Sequence, residues 1–154
     1  MNPPADVPPR FDDAARRLAA ALLDTLVPAS ADGRLPSAAD VGFLAHLARL
    51  HPGYLSAFAQ VLAAFEPAFE PAFAQLDLEA RVSRVEAFSQ REPAAFGQLV
   101  LRVYDCYYQD PCVREAIGAT ATPPFPHGNP LHEGDLSLLE PVIRARERHR
   151  YRPI

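Results

Sequence analysis

The side chains capable of chemistry in this 154-residue chain are few and far apart. His46 and His51 stand five positions apart, an interval that sets them on different faces of a helix unless the helix ends between them. With Tyr54 they mark the place where a small enzyme or ligand-binding bundle would gather its convergent polar groups. His127, His132 and Glu133 carry the donor types of a metal site, yet a Pro/Gly-rich segment needs further ligands to fix a coordination geometry. No metal is expected there. Cys106 and Cys112, six apart with Pro111 between them, match neither a zinc spacing nor a C-x-x-C redox pair. Two unpaired and largely buried thiols are the expectation, with a disulfide as the alternative. Glu66 and Glu70 in "EPAFEPAF" have the residue types of an acid/base pair, but a solvated face is the simpler reading.

Familiar catalytic signatures are missing. No G-x-G-x-x-G occurs, and all 15 basic residues are Arg, so no lysine completes a phosphate loop. G-x-S-x-G, H-E-x-x-H and calcium-loop patterns are likewise missing. No catalytic, cofactor-binding or metal-ligating residue is therefore expected, and function must rest on surfaces. Two stretches suggest one. Tyr104, Tyr107 and Tyr108, beside Asp105, Asp110 and Pro111, form an aromatic cluster of the kind favoured at interface centres, or else pack with their hydroxyls bonded to the C-terminal tail. Arg144, Arg146, Arg148, Arg150 and Arg152 recur with period two, so an extended chain would line them on one face for an acidic partner. A solvated terminus is the alternative for the arginines. Phe125 and Pro126 join the candidate interface as anchors of the arm between these two stretches.

Composition narrows the partners. The net charge of −4 combines a C-terminal run of about +4 with about −8 elsewhere. An acidic body lacks the basic face a nucleic-acid binder needs to displace counterions. No run approaches the roughly 20 apolar residues of a membrane-spanning helix, so membrane insertion is not expected. A chain of this length can bury roughly two-thirds of its unfolded surface, enough for one domain with a real core.

The elements that must position these residues read as helices. "RRLAAALLDTLVPASADG" (16–33) begins like an export signal, but its apolar run from Leu18 ends at Leu23, before Asp24 and Thr25. Phe11, Ala14, Ala15, Leu18, Leu22 and Leu26 share a helical face instead, with Asp12 and Asp13 at the N-terminal end and Pro28 as the stop. A cytoplasmic location follows as the expectation. A second helix is expected from Ser37 as N-cap, with Val41, Leu44, Leu47 and Ala48 or Leu50 inward, until Pro52-Gly53 breaks it. A third starts near Tyr54 with Leu55, Phe58, Val61, Leu62 and Phe65 at helical spacing. Pro67 and Pro71 cannot both sit in one continuous helix, so the tandem repeat reads as a bent connection with Phe69 and Phe73 plugging the core. Asp77 caps a fourth helix, with Leu78, Val82, Val85 and Phe88 inward. The fifth runs from Pro93, with Phe96, Leu99, Val100, Val103 and Tyr107 inward, and a short turn follows from Pro111 to Gly118. The expected fold is all-α: one bundle of about five amphipathic helices over residues 11–118. Residues 1–10 precede it as a disordered or extended lead-in. Residues 119–154 are expected to form a Pro/Gly-rich extended arm, packed on the bundle or on a partner through Phe125, Leu131, Leu138, Leu139 and Val142, with a disordered segment as the alternative.

Two stretches carry a family resemblance. "LLDTLVPASADGRLPSAADVG" (22–42) resembles the opening motif of the gluconate 2-dehydrogenase subunit 3 family, through Asp24, Thr25, Leu26, Val27, Pro28, Asp32, Gly33, Pro36, Ala38 and Gly42. "YDCYYQDPCVREAIG" (104–118) is similar to the family's aromatic helix and Asp-Pro turn, through Tyr107, Tyr108, Asp110 and Pro111. The match covers about half the chain; residues 43–98 agree only in apolar pattern. The resemblance implies a non-catalytic accessory subunit or maturation factor for a large flavin-dependent sugar or alcohol dehydrogenase of the glucose-methanol-choline type, sometimes joined by a cytochrome subunit. The flavin would then sit in the large subunit. Many members begin with a twin-arginine export signal, which residues 16–33 do not fit; a periplasmic location beside an exported partner is the alternative to the cytoplasm. A self-contained helical module or homodimeric scaffold is the alternative to the accessory role.

Overall fold

The structure is a computed structural model that describes residues 9–66, 72–119 and 139–146. Among the described residues it is all-α, with no strand. Contacts divide the chain into two units, Met1–Ala121 and Thr122–Ile154.

In the first unit, α1 (Asp13–Leu26) starts where Asp12 accepts a hydrogen bond from the Ala15 N–H at 2.8 Å, satisfying a donor that the first turn leaves free. Leu18, Ala19, Leu22 and Leu23 are buried, and Phe11, Ala15 and Leu26 pack at the edge of the core. Ala14 is exposed instead of inward.

The second helix begins later than its cap signal suggests. The Ser37 hydroxyl accepts from the Ala39 N–H at 3.2 Å and donates to Asp24 Oδ1 at 2.9 Å, but residues 38–42 form turns and α2 runs Phe43–Leu50. Gly42 then adopts φ +69°, a left-handed conformation no helix interior contains. The inward stripe becomes Phe43, His46 and Leu47, while Leu44 is half-buried and Leu50 is exposed. His51 precedes Pro52, whose ring disfavours helical backbone in the residue before it, and α2 stops there. A 3-10 turn, Pro52–Tyr54, leads into α3 (Leu55–Phe65), which buries all five positions expected from its spacing.

Of the tandem repeat, residues 67–71 lie outside the described residues, Phe69 and Glu70 included. Phe73 opens a 3-10 turn (Phe73–Gln75) and is fully buried, its ring 5.0 Å from that of Phe65. Asp77 caps α4 (Leu78–Arg91) through the Ala80 N–H. Val85 and Phe88 face inward, but Leu78 and Val82 are exposed. Arg81 takes the inward place in that first turn, donating from Nη1 to the Ala21 carbonyl at 3.2 Å and approaching Asp24 Oδ2 at 3.4 Å. Its aliphatic stem packs while its head reaches acceptors on α1.

α5 (Pro93–Tyr107) starts with proline at its first position and buries Leu99, Val103, Cys106 and Tyr107, with Phe96 and Val100 half-buried. Asp110 Oδ1 then caps α6 (Pro111–Ala116), accepting from Cys112 N at 2.9 Å and Val113 N at 3.3 Å. Gly118 closes the turn at φ +75°. Edge-to-face and tilted rings tie the core together: Phe43 on Phe58 at 5.2 Å, and Phe65 on Phe88 at 4.9 Å.

In the second unit, α7 (Glu140–Arg146) carries an exposed pair between Arg144 Nη2 and Glu140 Oε2 at 2.9 Å. Helical backbone at Arg144 and Arg146 replaces the expected extended run. Among the described residues no helix is long and apolar enough to cross a membrane.

Candidate functional site

The helix does end between His46 and His51, and the consequence is a convergence. His46 lies on α2, its ring facing inward; His51 is the first residue beyond the helix, its N–H bonded to the Leu47 carbonyl at 2.8 Å. Both imidazoles meet one oxygen of Asp105 on α5: His46 Nε2 lies 3.0 Å and His51 Nε2 2.7 Å from Oδ2. An ionised carboxylate can only accept, so each imidazole donates from Nε2. The second oxygen, Oδ1, accepts from Gln109 Nε2 at 2.8 Å, one turn further along the chain. The two imidazoles, His51 foremost, and Gln109 hold the Asp105 carboxyl down at about 2.

Arg102 lies one turn before Asp105, its Nη1 3.4 Å from His51 Nε2. Because that nitrogen already donates to Asp105 and a guanidinium cannot accept, the two nitrogens are neighbours without a hydrogen bond. The guanidinium rests over the Tyr54 ring, 5.9 Å from its centroid. His46, His51 and Asp105 offer three ligand atoms within 4.8 Å of one another and could hold a metal ion. Tyr54 does not complete a single pocket with them. It lines a groove of about 550 Å³ with Gln60, Arg91, Glu92 and Gln98, and its buried hydroxyl has no partner among the described residues. His46 instead lines a separate pocket of about 390 Å³ with Gly42, Arg49, Cys106, Gln109 and Pro111.

The expected interface residues separate into roles. Tyr107 is buried and donates to the Pro36 carbonyl at 2.8 Å, and burial raises its hydroxyl pKa. Tyr104 and Tyr108 are about half exposed (48% and 53%), as is Leu101 (54%), giving α5 an aromatic–aliphatic outer stripe. The two tyrosine rings lie 5.9 Å apart. Asp110 serves as a helix cap, and Pro111 is exposed at the first position of α6. Arg144 is exposed on α7, which Arg146 closes. Phe125, Pro126, Arg148, Arg150 and Arg152 lie outside the described residues, as do His127, His132 and Glu133. Both cysteines are free: Cys106 is buried and pushed up to about 11 by burial, whereas Cys112 is exposed, against the expectation of two buried thiols.

The two stretches that carry the family resemblance meet in space. Tyr107 bonds to Pro36, Cys106 Sγ donates to the Val41 carbonyl at 3.6 Å, and Arg34 Nη2 donates to the Ala116 carbonyl at 3.3 Å. Asp24, in the first stretch, anchors Ser37. In comparisons with known proteins, no family model, no curated protein and no solved structure matches the chain.

Proposed function

We propose that this chain is a non-catalytic accessory subunit or maturation factor for a large flavin-dependent dehydrogenase of the glucose-methanol-choline type. The observation that supports the reading is the outer stripe of α5. Leu101, Tyr104 and Tyr108 fall three and four residues apart, leave the core to the opposite face, and offer apolar area with polar tips. Tyr108, its ring 5.5 Å from that of Tyr107, adjoins the seam where residues 34–41 meet residues 106–116, so that end of the surface is backed by hydrogen-bonded structure and needs little ordering on binding. A stable complex would bury on the order of 800 Å² on each side.

Affinity purification of the full chain from its native host tests this. The expected result is co-purification of a large polypeptide with flavin absorbance, reduced roughly tenfold or more by Tyr104→Ala/Tyr108→Ala, as loss of two interface aromatics implies. Recovery of the chain alone, or undiminished recovery of the flavoprotein by the double variant, would overturn the reading. A second copy of the chain on the same stripe, detected by sedimentation and lost in the same variant, would favour a homodimeric scaffold.

A further inference from the structure

We propose that His46, His51 and Asp105 form a binding site for one divalent first-row transition ion, with Zn²⁺ the expected occupant. Two imidazole nitrogens and one carboxylate oxygen are the donor types that suit such ions; Ca²⁺ and Mg²⁺ take oxygen. The three donor atoms lie within 4.8 Å of one another. Ligands roughly 2.0–2.2 Å from a common ion sit about 3.0–3.5 Å apart; the His46 nitrogen is 3.0 Å from the shared oxygen, and the His51 nitrogen, at 2.7 Å, must draw back to admit an ion. Replacing two Nε2–H donors by nitrogen lone pairs, with each ring proton moved to Nδ1, turns the hydrogen-bonded cluster into a coordination set.

The surroundings are arranged as a metal site needs. Gln109 holds Oδ1, the oxygen that faces away from both imidazoles, so Asp105 is oriented to give Oδ2 as a single ligand. His51 is fixed through its backbone on both sides, donating to Leu47 and accepting from the Tyr54 N–H at 2.9 Å. His51 and Asp105 are partly exposed, at 25% and 32%, which leaves the cluster a route of entry from solvent. Three protein ligands leave one position of a tetrahedral ion free. The Arg102 guanidinium, 3.4 Å from His51 Nε2, repels a bare divalent ion, so binding should bring an anion or hydroxide into that position.

The test uses the full chain, stripped with chelator and titrated calorimetrically with ZnCl₂, with Co²⁺ as a spectroscopic probe. One equivalent should bind, with a Kd on the order of micromolar or below. His51→Ala should abolish binding and the Co²⁺ ligand-field bands, and Gln109→Ala, which removes only the orienting bond, should weaken binding roughly tenfold. Both variants leave the buried His46 ring in the core, and circular dichroism verifies their fold. The other three histidines are controls: His127→Ala/His132→Ala/His149→Ala should bind as the parent does. Failure of the parent chain to bind, unchanged affinity in His51→Ala, or loss of binding in the triple variant would overturn the assignment, leaving a hydrogen-bonded polar cluster or adventitious binding elsewhere. None of these outcomes depends on the flavoprotein reading.

Discussion

Asp32 shows how little is needed to hold a carboxylate ionised at a surface. The Ser30 hydroxyl donates to its Oδ1 at 2.6 Å and the Arg34 N–H donates to the same oxygen at 3.1 Å, and these bonds, the serine's foremost, lower its pKa below the ordinary aspartate value. A lowered pKa in the folded state means that the carboxylate's contribution to the turn is complete above the ordinary value. It is lost as the pH falls through the lowered one. NMR titration of the Asp32 carboxyl should therefore give a midpoint below that of an unstructured aspartate. Ser30→Ala should raise that midpoint; an unchanged value would show that the hydroxyl does not hold the charge. Asp105 is governed by the same kind of bond, with imidazoles in place of the serine.

Among the elements, α2 gives the sharpest test of a backbone argument. A Cβ at Gly42 would meet nothing within 4 Å, so the cost of Gly42→Ala is the left-handed conformation alone, roughly 1–2 kcal/mol. Denaturant unfolding should show that loss, while Gly53→Ala, equally uncrowded and without a positive φ, should be close to neutral. Equal effects at the two positions would exclude the conformational cause. The elements also show where a sequence is readable. α3 buries every residue its 3.6-residue spacing selects, because nothing polar competes for its inward face. In α4 the spacing points Leu78 and Val82 inward, yet Arg81 takes that place, since its acceptors at Ala21 and Asp24 lie nearly sixty residues upstream. Ser37 has the chemistry of an N-cap and does accept from the Ala39 N–H, but turns follow it, and its own proton goes to Asp24 on another helix. Local propensity was legible in both cases; the tertiary hydrogen bonds that overrode it were not.

At the level of the whole chain, the candidate site shows the same division. Pro52 told that His51 leaves the helix, and this is what lets both imidazoles turn to one side. That Asp105 would meet them could not be read, because it depends on how α2 lies against α5 across 54 and 59 residues. The seam between residues 34–41 and 106–116 reaches further still: its three bonds join positions 65, 71 and 82 residues apart. Closing so long a loop early would forfeit chain freedom before any compensating contact exists, so these ties should form after the folding transition state. Tyr107→Phe, which removes the hydroxyl bond to Pro36, should accordingly speed unfolding severalfold and leave the refolding rate nearly unchanged in stopped-flow experiments. Such a latch, fastened last, makes the native state's lifetime adjustable without altering how quickly the chain finds it.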